Sequence, residues 1–377
     1  MLDSNAPPPR ARATGQGFLR RHAVKLVASV VITAALLYTL KKAGLQLWPP
    51  REAFDDVRWW TVPAYLGSFV FVNYFRASRW RFLVRSFADV PLRKILTASW
   101  VGFAAILMFP FRMGEVVRPY MIREKGKVSL TRATGSVVGE RVVDGLYLTL
   151  MLAVALVVVP TRNPVDQRIP GLPTVTVAYV RHASFLMLGV FAAAFTTIFV
   201  FYFARGWAER MTHRTIGVVS TRLADKLAST AIKLGEGLHF LGRPKDAVPF
   251  MAETTAYWVL NALGMWFLAW GCGVVHADGT AITFGEACAL MGTLGVTILI
   301  PGPPFLLGTF QAGIIAGMGM YFPEHILQGP GIAFASLLFA TQFLWISVTG
   351  GLSLIGNPTA IHALDEQPRD SIAAATD

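Results

Sequence analysis

Six charged residues stand where their neighbours are apolar: Arg112, Glu115 and Arg118 within F-P-F-R-M-G-E-V-V-R-P, and Glu140, Arg141 and Asp144 within E-R-V-V-D. Charges at membrane depth are costly and mark function by default. Arginine grips a phosphate through two parallel hydrogen bonds, while a carboxylate orients the arginine or meets an amine. A helix resuming near Gly114 would put Glu115 and Arg118 on one face with Arg112 at its mouth, and Pro119 would weaken the helix directly afterwards. Glu140 and Asp144, four apart, share a face at the start of the next span, and Arg141 is three from Asp144. The cluster predicts a cavity for a charged lipid headgroup. The alternative, that the six only pair with one another to pin one element to the next, can coexist with it.

Those residues need elements to hold them. The 377-residue chain is 54% hydrophobic and only 15% charged, which places it in the membrane class and excludes an ordinary soluble domain. A formal net charge of +12 would suggest nucleic-acid binding in a soluble protein. Here the basic residues flank apolar spans, where orientation and anionic headgroups account for them, so no nucleic-acid partner is expected. Residues 1–23 read as a disordered basic arm and residues 356–377 as a polar tail. Spans are predicted at Val24–Leu40, Trp59–Ala77, Val142–Val159, Phe185–Phe203, Thr255–Val275 and Ile332–Ile355. The first follows a long basic stretch without a small-x-small cleavage pattern, so it is expected to remain as a span. Residues 206–245 scatter Arg210, Arg214, Arg222, Lys226 and Lys233 among aliphatic residues, the pattern of an amphipathic helix on the inner membrane surface. Arg76, Arg79, Arg81 and Arg85 close the second span as an inner-surface basic cluster, read first as a topology signal.

Two further apolar segments are broken by proline. Pro110 interrupts Ile95–Phe111, and Pro301, Gly302 and Pro304 interrupt Phe284–Tyr321. Both carry P-F-x-x-G, ending at Gly114 and Gly308, and both follow an Ile-Leu pair. Proline removes a backbone donor and glycine permits a turn, so each motif breaks a helix and leaves backbone groups facing a cavity. With an internal N-terminus, about four-fifths of the 34 lysines and arginines fall on inner segments, provided both broken segments enter and leave on one side. They are therefore predicted to be re-entrant hairpins, covered by protein or by a water-filled cavity. One hairpin lies within residues 59–160 and the other within 254–355, and the single span between these units gives them opposite senses. The expectation is an all-α polytopic membrane fold over residues 24–355, with about six spans and two hairpins in two inverted-topology repeats around a midplane site. In the second unit, Gly308-Thr-Phe-Gln311 offers only a hydroxyl and an amide. The first hairpin is thus predicted to supply chemistry and the second mainly shape.

No H-E-x-x-H, G-x-S-x-G, P-loop or dinucleotide fingerprint occurs, and Cys272 and Cys288 stand without ligand-like partners. No catalytic residue, metal or cofactor is assigned. Taken in order, P-F-R-M-G-E-V-V-R, E-R-V-V-D and P-G-P-P-F-L-L-G-T-F-Q resemble the transmembrane region of the lysylphosphatidylglycerol synthase family. This is the flippase-like domain of bacterial multiple-peptide-resistance proteins and of stand-alone inner-membrane proteins. The resemblance implies lipid movement between leaflets of the bacterial inner membrane, and the charge bias puts both termini in the cytoplasm. Gln311 stands where the family often has a glutamate. Only a short polar stretch follows Ile355, so the soluble aminoacyl-transferring domain is expected to be missing and lysyl transfer is not inferred. The expected function is a flippase or scramblase-like lipid transporter, with lipids of anionic or zwitterionic headgroup as its partners. Its rivals are an integral-membrane transferase with Glu140 or Asp144 as general base, and a partner-binding membrane subunit acting through residues 205–245.

Overall fold

The computed structural model describes residues 38, 49–108, 114–124, 128–161, 168–169, 172–203, 206, 210, 214, 242–299, 306 and 308–355. The N-terminal arm, the first predicted span apart from Tyr38, most of the segment 206–245, the tail 356–377, and Pro110, Arg112, Pro301, Gly302 and Pro304 lie outside the described residues. A 3-10 turn at Arg51–Phe54 leads to α1 (Thr61–Ser78) and, after Arg79, to α2 (Trp80–Val84). A helical hairpin of α3 (Leu92–Met108) and α4 (Gly114–Ile122) precedes α5 (Leu130–Val158). A small antiparallel ribbon, β1 (Arg168–Ile169) with β2 (Leu172–Thr176), and then α6 (Val177–Phe203) separate this half from α7 (Pro244–Gly271). A second hairpin of α8 (Phe284–Leu299) and α9 (Thr309–Gly319) is followed, after a π-helical turn at Leu327–Gly331, by α10 (Ile332–Ile355). Apart from the ribbon the fold is an all-α membrane fold, as predicted.

Local chemistry explains the breaks. Gly114 opens α4 against α3 so closely that a Cβ there would lie 2.1 Å from the Ile106 nitrogen. On α9, a Cβ at Gly317 would lie 2.4 Å from Thr293 Oγ1 and 3.1 Å from the Leu290 Cα. Glycine is what lets each pair of arms close. Pro119 does not end α4, which runs on to Ile122. Its missing N–H leaves only the Glu115 carbonyl without its helical donor, and packing against α3 holds the turn.

One boundary differs in a way that matters. α5 begins at Leu130, well before the predicted Val142, because Thr131–Gly139 is too polar to register as part of an apolar run. Glu140 therefore lies about 15 Å along the helix, at 1.5 Å per residue, and not at its start.

The two halves exchange contacts. α1 packs on α7, with Gly264 beside Tyr65 and Gly271 beside Thr61. α5, which follows the first hairpin, packs on α8 of the second; α10, which follows the second, packs on α3 of the first. Each half thus lends its last helix to the other half's hairpin. The main apolar core runs between these helices, and a second gathers around Trp80, Ile95, Ile122 and Phe250. Among the described residues, Leu130–Val158, Ala178–Thr197 and Glu324–Ile355 are long and apolar enough to cross a membrane. Leu150, Val154, Val157, Leu344, Val348 and Leu352 face outward on these helices, as lipid-facing residues should.

Candidate functional site

Glu140 is the hub of a buried ionic cluster. It is wholly buried in α5 and pairs with three guanidinium groups: Arg79 Nη2 at 3.0 Å, Arg141 Nη2 at 2.9 Å and Arg118 Nη2 at 3.0 Å. Asp144, one turn further along, takes Arg79 at 2.7 Å and Arg141 at 3.5 Å. Arg79 also donates through Nη1 to Thr254 Oγ1 on α7, at 3.1 Å. One carboxylate pair thereby ties together the α1–α2 junction, α4, α5 and α7. Burying so many ions is costly, and only such dense pairing offsets it. Rings close the cluster: Arg118 Cζ lies 4.4 Å from the Trp80 ring centroid and Arg79 Cζ 5.0 Å from that of Tyr257. Trp80 is itself fixed by its Nε1, which donates to Ser136 Oγ at 3.0 Å. Gly102 clears the path for Arg118, since a Cβ there would lie 2.3 Å from Arg118 Cγ.

A cavity of about 120 Å³ adjoins this cluster between the two hairpins. Its apolar walls come from both, through Phe103 and Leu107 of α3, Ile298 of α8 and Phe310 of α9. Its polar lining is Arg76 of α1 and Gln342 of α10. Gln342 donates through Nε2 to the Tyr65 hydroxyl at 2.9 Å, which fixes the amide. Arg76 lays its guanidinium on Phe103, with Cζ 4.2 Å from the ring centroid. Among the described residues no carboxylate lies within ion-pair distance of Arg76, and its buried Nε has no hydrogen-bond partner.

The family described as Lysylphosphatidylglycerol synthase TM region matches residues 26–351. The chain belongs to this family. No curated protein and no solved structure matches it. Membership in the lysylphosphatidylglycerol synthase TM family, together with the apolar helices, places the chain in a membrane and ties it to lipid handling.

In this family member, Arg118, Glu140, Arg141 and Asp144 converge as the sequence pattern suggests, and Glu115 is near enough to Arg141 to act on it electrostatically. Arg112 is outside the described residues. Arg79 corrects the expectation of a surface cluster, because it is wholly buried. It sits three residues from Arg76, directly after the C-terminal end of α1, a burial that the composition of Arg76–Arg85 alone does not reveal. Arg81 pairs at 2.7 Å with Glu253, a carboxylate that also accepts from the Ser78 hydroxyl. Glu253 and Thr254 are partners the sequence reading missed; the signal was an acid and a hydroxyl standing together just ahead of the span at Thr255.

The second hairpin is chemically quiet. Gln311 turns its Oε1 back to accept the Gly308 N–H at 3.0 Å, capping α9. Gly308 adopts φ +82°, and Leu306, which lines the cavity, adopts φ +54°, a left-handed conformation that strains a side-chain-bearing residue. Thr293 and Thr297 return their hydroxyls to carbonyls of their own helix. Pro301, Gly302 and Pro304 are outside the described residues.

Proposed function

We propose that this chain is a flippase or scramblase-like lipid transporter that moves a charged lipid between leaflets of the bacterial inner membrane. The carrying observation is a buried cluster richer in guanidinium than in carboxylate groups, set beside a cavity between two hairpins. Among the described residues, Arg76, Arg79, Arg118 and Arg141 stand against Glu140, Asp144 and Glu115. Surplus positive charge in a low-dielectric interior is offset when an anionic headgroup enters. The reciprocal packing of α5 on α8 and α10 on α3 supports reading the halves as inverted repeats with re-entrant hairpins, a design that sets the substrate at their meeting point. The bias of lysine and arginine supports cytoplasmic termini. Acyl chains would stay in the surrounding lipid, along the exposed apolar faces.

The transferase alternative has less support. Both oxygens of Glu140 are held in ion pairs with arginines, which leaves Asp144 Oδ1, buried and without a hydrogen-bond partner among the described residues, as the one oxygen of the pair open to a base role. Reconstitution with fluorescent phosphatidylglycerol and a membrane-impermeant quencher tests the proposal. A transporter raises the quenchable fraction above the outer-leaflet share, and a fraction equal to that of empty vesicles refutes it. Chromatography of the same lipids separates the transferase, which would yield a new species.

A further inference from the structure

The ionic cluster and the cavity contain the same residue type in different electrostatic states. Arg79, Arg118 and Arg141 each hold at least one carboxylate oxygen at 3.0 Å or less. Arg76 holds none among the described residues, although it shares the Phe103 ring with Arg118, whose Cζ is 5.2 Å from the centroid. A partly buried guanidinium stacked on a ring, with no carboxylate within ion-pair distance among the described residues, is poorly compensated. Among the described residues its fork has no ion-pair partner, and such a fork matches the oxygens of a phosphate.

We propose that the inter-hairpin cavity is a phosphate site, in which Arg76 contacts the phosphate diester of a lipid headgroup and Gln342 is its polar neighbour. This assignment rests on the transporter reading for the source of the phosphate, and on the cavity alone for its chemistry. A space of about 120 Å³ admits a phosphate and a few waters but not acyl chains. Apolar walls with few, fixed polar groups are the composition of a ligand site. They also keep the local dielectric low, which strengthens an arginine–phosphate contact. Phe103, Leu107, Ile298 and Phe310 come from both hairpins, so a relative movement of the hairpins would open or close the site. The arginines of the Glu140 cluster then act as a scaffold that holds α1, and hence Arg76, at the edge of the cavity.

The test uses the full chain purified in uncharged detergent, with Arg76→Gln, Arg76→Lys and, as a control, Arg58→Gln. Arg58 precedes the opposite end of α1, stacked on Trp270. Short-chain phosphatidylglycerol, the matching diacylglycerol and inorganic phosphate are titrated by calorimetry, with a melting curve for each variant. The expected result is that phosphatidylglycerol binds the wild type and Arg58→Gln alike, while Arg76→Gln weakens it about tenfold or more, the range for losing a charge-assisted hydrogen bond. Arg76→Lys should recover part of that loss, and diacylglycerol should not compete. Inorganic phosphate that binds through Arg76 shows that the phosphate alone suffices; phosphatidylglycerol binding without it shows that the lipid ester is the ligand. Unchanged affinity in a folded Arg76→Gln, or diacylglycerol binding equal to that of phosphatidylglycerol, overturns the site. The transporter reading fails separately: a wild type that binds phosphatidylglycerol through Arg76 but leaves it in one leaflet keeps the site and loses the transport.

Discussion

Arg79 and Arg76 stand three residues apart at the end of α1 and belong to different regions of the molecule. Arg79 lies in the joint where α1, α5 and α7 meet, wholly buried and held by Glu140, Asp144 and Thr254. Arg76 lines the cavity between the hairpins, with a ring beneath it and no carboxylate beside it among the described residues. Residue type is the same for both, and Arg79 directly follows the helix that carries Arg76. What separates a structural arginine from one available to a ligand is the number of anions already in contact with it. The joint is close to charge-balanced and therefore rigid, whereas the cavity keeps one cation in reserve.

Substitutions that unbalance the joint should have the largest effects. Glu140→Ala removes the oxygens that three arginines share, and Arg79→Gln takes the closest guanidinium from Asp144 and one of three from Glu140. Each should destabilise the fold by about 3–5 kcal/mol, seen as early thermal unfolding in detergent or loss of the monodisperse peak. Near-normal stability in both would mean that the joint is not ionic in the way described. Gly102→Ala comes next. Its Cβ would meet Arg118 Cγ at 2.3 Å, so Arg118 must shift, at a cost of about 1–3 kcal/mol typical of overpacking. If that loss is absent, Arg118 is not threaded past α3.

The second hairpin should respond more weakly. Gln311→Leu removes the oxygen that accepts the Gly308 N–H and should cost about 1 kcal/mol, the usual value of a lost cap. Gln311→Glu keeps an acceptor at the same place and should remain within a few tenths of a kcal/mol of the wild type by the same measure. Arg76→Gln is predicted to have a similarly small effect on stability, within about 0.5 kcal/mol of zero or slightly stabilising, because it removes a partly buried charge without orphaning an ion-pair partner among the described residues. A loss comparable to that of Arg79→Gln would erase the distinction between joint and cavity.

How far this could be read from the chain depends on the range of the forces involved. The two hairpins are legible because proline and glycine act on their own backbone, and the second arms begin at Gly114 and Thr309, at or directly after the glycines that end the P-F-x-x-G motifs. Arg118, Glu140, Arg141 and Asp144 are legible because charge in an apolar setting is conspicuous. Their pairing with Arg79 is not, since that contact spans 61 residues and depends on how α1 meets α5. The early start of α5 is hidden for a related reason. Thr131–Gly139 looks like a loop by composition, yet Ala133, Ser136, Val137 and Gly139 are buried against neighbouring helices. Gln311 offered an amide for a ligand, and the structure uses its oxygen as a helix cap. Sequence marks where costly groups stand, but only packing decides which of them are already satisfied.

The most direct test compares transbilayer movement of fluorescent phosphatidylglycerol in proteoliposomes of wild type, Arg76→Gln and Arg76→Lys, prepared from fractions with matched melting temperatures. The predicted result is rapid movement by the wild type, partial movement by Arg76→Lys, and about tenfold slower movement by Arg76→Gln, in line with the loss of one charge-assisted contact. Movement by Arg76→Gln at the wild-type rate would contradict the account, because the arginine that lines the cavity would then have no part in carrying lipid.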